Sequence, residues 1–84
     1  GFITECVPDA ELERTVDALV DELRRFSPLA QRTAKKLIND NEDAPLKVAI
    51  EMEGHCYSRL RSSADFKEGV EAFHGKRPAV FRGE

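Results

Sequence analysis

Apolar residues recur at three- and four-residue steps along most of this chain, the period that gathers them on one face of a helix. Leu12, Val16, Leu19, Val20, Leu23 and Phe26 mark the first such face, with Glu11, Glu13, Asp17, Asp21 and Glu22 on the other side. The pattern predicts one amphipathic helix from Ala10 to about Phe26. Ser27-Pro28 restarts the count, because serine at the N-cap and proline at the first helical position are a strong start signal. The second helix runs to about Asn39, with a narrow stripe of Leu29, Ala30, Ala34, Leu37 and Ile38 whose small members permit close approach to a neighbour. The run 39–43, Asn-Asp-Asn-Glu-Asp, is turn-forming. A third helix opens near Ala44-Pro45 and continues to about Arg61 on Leu46, Ala49, Ile50, Tyr57 and Leu60. A short fourth follows Ser63, which caps it, with Asp65 and Glu68 in a first turn where the helix dipole favours negative charge. Phe66, Val70 and Phe73 share its apolar face, Gly75 is expected to be the left-handed stop, and Pro78 forbids resumption.

Ahead of the helices, Phe2–Val7 alternates partly and reads as a short strand or extended lead-in, broken by Pro8, with Asp9 the expected cap of the first helix. The fold class expected is therefore all-α, about four amphipathic helices after a short extended N-terminal segment. Connections this short pack each helix on its sequential neighbour.

Composition narrows the function classes. The chain has 84 residues, 40% hydrophobic and 35% charged, which suits a globular helical domain. A net charge of −3 argues against a general nucleic-acid or anionic-membrane binder, either of which needs a basic surface. The charge is uneven, however: after Gly75 come Lys76, Arg77 and Arg82 against the terminal Glu84, so a local anion site is allowed. Cys6 and Cys56 are too sparse for a disulfide scaffold and lack metal-ligand spacing; they read as reduced intracellular thiols in small buried positions. Without a run long enough to span a membrane, the expected location is cytoplasmic. The chain opens on Gly-Phe-Ile without Met, which suggests a fragment or a processed piece, forming one domain over 1–84.

Candidate chemistry is thin. Glu53 lies beside the apolar stripe of the third helix, where a buried carboxylate can act as a general base, although pairing with a nearby cation is the commoner fate. His55 and Cys56 are adjacent and project in different directions on a helix, so they form no nucleophile–base pair. His74 sits at a helix end, either solvent-facing or capping the last carbonyls. No metal-ligand set or catalytic motif is present, so no catalytic residue is assigned. Lys76-Arg77 is the sharper signal: two cations leaving a helix beside Phe73 can hold phosphate oxygens, or can simply complement the helix dipole.

In order along the chain, Gly1-Phe2-Ile3 through Val7-Pro8 and Leu12, Ser27-Pro28-Leu29-Ala30 with Lys35, Leu46 with Glu53, Ser63-x-Asp65-x-x-Glu68-Gly69-x-x-Ala72-Phe73-x-x-Lys76-Arg77, and Phe81-x-Gly83 resemble the C-terminal segment of the enoyl-CoA hydratase/isomerase (crotonase) family. Each piece is weak, but all of them at the right separations are specific. Two departures stand out: Gly75 replaces a frequent Glu, and Pro78 comes one position early, which alters the path of the tail.

The resemblance implies a C-terminal α-helical domain of a larger acyl-CoA enzyme. Its catalytic carboxylates and oxyanion hole would lie upstream, and its substrate would be a coenzyme A thioester, with no separate cofactor. It implies a homo-oligomer, a trimer or dimer of trimers, without nucleic-acid or membrane partners. Phe73 matches the aromatic that lines or covers acyl-CoA, Lys76 the lysine that meets its nucleotide phosphates, and Arg77 is a further candidate for that contact. The competing reading is a stand-alone helical module that docks a partner helix.

Overall fold

The computed structural model describes all residues, Gly1–Glu84. Its order is a 3-10 turn at Asp9–Glu11, α1 at Leu12–Leu23, α2 at Pro28–Asp40, α3 at Leu46–Arg61 and α4 at Ala64–His74, with no β-strand. The all-α expectation holds. Residues 1–8 join no β-ladder, so the strand alternative falls away and only the extended lead-in remains.

Local chemistry explains most of the boundaries. Ser27 Oγ accepts the Ala30 N–H at 3.1 Å, capping α2, and Pro28 stands at its first position. Ser63 Oγ accepts the Phe66 N–H at 3.1 Å, capping α4, and donates to Leu60 O at the end of α3. Asp9 caps nothing: the 3-10 turn intervenes, and α1 begins two residues later than the periodicity suggests, with no side-chain cap. At the other end of α1, Gln31 Nε2 donates to Leu23 O at 2.6 Å and to Phe26 O at 3.3 Å, so a residue of α2 satisfies carbonyls that the helix leaves open.

α2 packs on α3 and α3 on α4, whereas α1 has no comparable helix neighbour. The molecule is a slab of 44 × 40 × 18 Å, less than two helix diameters thick. Its radius of gyration is 16.2 Å, against about 12 Å for a compact chain of this length. Accessible surface is 7547 Å², against about 5,000 Å² for a compact monomer. Only Asp65 and Ala72 are buried. The helical stripes are where the sequence puts them, but Leu12, Val16, Leu23, Leu46, Ile50 and Tyr57 remain exposed on them. The cysteines depart from expectation in the same way. Both are free, Cys6 exposed and Cys56 half-buried at the α2–α3 seam, because there is no closed core to receive them.

Candidate functional site: the end of α4 and its tail

The tail, residues 75–84, has no regular structure, and two carboxylates of α4 hold it. Asp65, only 4% exposed, accepts the Arg82 N–H at 2.8 Å and the Gly83 N–H at 3.1 Å. Its other oxygen takes the Ser27 hydroxyl at 2.5 Å, and its own N–H donates to Glu84 O at 2.8 Å. Burial by itself would raise the Asp65 pKa; the Ser27 hydroxyl and the amides of Arg82, Gly83 and Glu84 outweigh it and leave the carboxyl below its ordinary value. Arg32 adds a guanidinium bond to Gly83 O at 3.2 Å. Asp65 thus ties the start of α2, the start of α4 and the chain end together.

One turn further on, Glu68 receives both guanidinium nitrogens of Arg77, at 2.6 and 2.9 Å, and the Val80 N–H at 2.8 Å. The Arg77 bonds, followed by the Val80 amide, hold the Glu68 carboxyl well below its usual range, down to about 2. Glu68 in turn raises the Arg77 pKa. The two acids expected to serve the helix dipole therefore have a second task, which spacing within one helix does not reveal.

The helix stop is also different from expectation. Gly75 has φ −77° and is right-handed; Lys76 is the left-handed residue, with φ +49°. The Lys76 N–H reaches Phe73 O at 3.3 Å and the Arg77 N–H reaches Ala72 O at 3.1 Å, the paired bonds of a Schellman motif with lysine where glycine is usual. Lys76 forms no ion pair, so the adjacent cations are divided: Arg77 is engaged by Glu68 and Lys76 is free.

Phe73 is 81% exposed, and its ring meets His74 edge-on with centroids 5.9 Å apart. His74 caps no carbonyl. Phe73 forms one rim of an apolar groove of about 590 Å³ between α2, α3, α4 and the tail, walled by Phe26, Leu60, Phe66, Val70 and Phe81. The Arg61 guanidinium lies about 6 Å from the Tyr57 and Phe66 rings beside it. Asp65 is the one carboxylate on the groove wall, and its oxygens are already taken. Glu53 is exposed, lies off the groove and pairs with no cation. No cluster of His, Cys, Asp or Glu is arranged to hold a metal ion. No helix is long and apolar enough to cross a membrane.

The sequence model of the enoyl-CoA hydratase/isomerase family matches residues 1–84, and the chain belongs to that family. A probable enoyl-CoA hydratase of Rhodobacter capsulatus is 37% identical over 83 residues, 99% of this chain and 32% of that protein. The mitochondrial methylglutaconyl-CoA hydratase of Mus musculus is 36% identical over 76 residues, 90% of this chain and 24% of that protein. Among solved structures, a probable enoyl-CoA hydratase/isomerase from Mycobacterium abscessus superposes with a TM-score of 0.90 at 30% identity, covering all of this chain and 33% of that one. The chain thus spans between about a quarter and a third of the length of these curated relatives.

Proposed function

We propose that this chain is the C-terminal helical domain of an enoyl-CoA hydratase/isomerase-type enzyme, where it closes the acyl-CoA site and supports oligomerisation without performing the chemistry. The carrying observation is an 81%-exposed Phe73 three residues before an unpaired Lys76 in a strained turn. An aromatic ring beside a free cation suits a nucleotide or acyl thioester that carries phosphate next to an apolar group. Phe73 covers the acyl-CoA and Lys76 meets its phosphates. Arg77 reaches a phosphate only by giving up both bonds to Glu68, so the phosphate contact is assigned to Lys76.

Hydration or isomerisation of an enoyl thioester needs a proton-transferring carboxylate and donors for the enolate oxygen. The only carboxylate on the groove is saturated by three donors, which supports a catalytic centre in the rest of the enzyme. About 2,500 Å² of surface beyond that of a compact monomer is within the range of obligate interfaces. It suits cover by the remainder of the enzyme and by further copies of it in a homo-oligomer.

The test is titration of the complete enzyme with acyl-CoA. Lys76→Glu and Phe73→Ala should each weaken binding by about tenfold or more, or roughly 1.4 kcal/mol. Unchanged affinity in both variants would remove the site role.

A further inference from the structure

Lys76 sits in a backbone state that lysine resists. At φ +49° its Cβ crowds the carbonyl, whereas Gly75, which has no Cβ, stands alongside in an ordinary helical conformation. Such residues persist where the surrounding structure leaves them no alternative. The helix-side bonds, Lys76 N–H to Phe73 O and Arg77 N–H to Ala72 O, would serve a glycine equally well. The second anchor is on the tail side. A single oxygen, Glu68 Oε1, accepts from both Arg77 Nη1 and the Val80 N–H, at 2.6 and 2.8 Å. Residues 77–80 therefore form a short bridge with both ends on one carboxylate, stiffened by the fixed φ of Pro78. With Arg77 bound from one side and the helix end from the other, the backbone of Lys76 is pinned between them.

We propose that Glu68 is a positioning residue: by clamping Arg77 and Val80 it holds Lys76 in the left-handed turn and keeps the Arg77 guanidinium occupied, so that one cation alone is delivered beside Phe73. The ligand this suits is an anionic nucleotide thiol such as coenzyme A, and the proposal rests on the acyl-CoA reading above. Glu68 touches no ligand in this role and acts only through Lys76.

Titration of the complete enzyme with coenzyme A, using wild type, Glu68→Gln, Lys76→Met and the double variant, tests it. Glu68→Gln is expected to weaken binding about threefold to tenfold, the cost of ordering one long side chain at the moment of binding. The double variant is expected to bind no more weakly than Lys76→Met alone, because nothing remains to be positioned. A purely structural Glu68 lowers the melting temperature and weakens binding equally in both backgrounds. Additive losses, or an unchanged affinity in Glu68→Gln, therefore overturn the positioning role while leaving the contact by Lys76 intact. No loss in Lys76→Met overturns both. Arg77→Gln opens the same clamp but spares the Val80 bond; if Glu68→Gln does not fold, the same cycle with Arg77→Gln decides, and non-additivity with Lys76→Met is again the expected result.

Discussion

The Ser27 hydroxyl donates to Asp65 Oδ2 at 2.5 Å, joining the N-cap of α2 to the first turn of α4 across 38 residues. Ser27 Oγ also accepts the Ala30 N–H at 3.1 Å. One small side chain therefore starts a helix and anchors the acid that holds the tail. Ser27→Ala should cost about 1 kcal/mol for the cap alone. It should also speed amide exchange at Arg82 and Gly83, whose N–H groups share the Asp65 carboxylate. Thermal unfolding and hydrogen exchange measure the two effects, and Ser27→Thr should restore most of both.

The tail should be indifferent to pH near neutrality and sensitive in acid. Both anchors have folded-state pKa values below their ordinary ones, Glu68 at about 2 against 4.5. A depressed carboxylate contributes its stability above the unfolded pKa and loses it as pH falls through the folded value. The contribution of Glu68 is thus complete above about pH 4.5 and fades toward about 2. The exchange protection of residues 78–84, taken relative to the intrinsic exchange rate of the free amides at each pH, should be flat from about pH 5 to 8 and fall below that window. Loss of protection between about pH 6 and 7 would contradict it.

Lys76→Gly should separate stability from binding. Glycine removes the left-handed penalty of about 1–2 kcal/mol and gives part of it back in chain entropy, leaving a gain of about 0.5–1 kcal/mol. Coenzyme A affinity should fall in the same variant, because the cation is gone. A shift in unfolding midpoint and a titration, read on one sample, should move in opposite directions.

Two glycines should respond with opposite sign to the same change. A methyl at Gly69 meets the Phe81 ring at 3.5 Å, an ordinary contact inside a helix, so Gly69→Ala should be neutral or stabilise by up to about 1 kcal/mol. Gly83 has φ +83° with Pro28 and Arg32 close by, so Gly83→Ala should destabilise by about 1 kcal/mol or more. Denaturant midpoints of the two variants test both.

Helix number, the Ser27 and Ser63 caps and the family were legible in the sequence, because each is written in neighbouring residues or in an ordered set of motifs. The α1 start was misplaced by the 3-10 turn, which periodicity does not distinguish from a first helical turn. The left-handed residue was misplaced by one, because glycine preference points to Gly75 while the bonds to Ala72 and Phe73 select Lys76. Helical spacing presents Asp65 and Glu68 only as dipole partners; nothing local says that the chain end folds back onto them.

The sequence alone determined the four helical faces, the place of Phe73 on the last of them and the adjacent cations, since these depend on residue order and helical period. Tertiary structure decided which cation is free. Arg77 and Glu68 are nine residues apart and meet only because the Schellman turn reverses the chain, and that bond leaves Lys76 unpaired. It decided, too, that the stripes remain largely uncovered, because a slab 18 Å thick has no second layer to bury them.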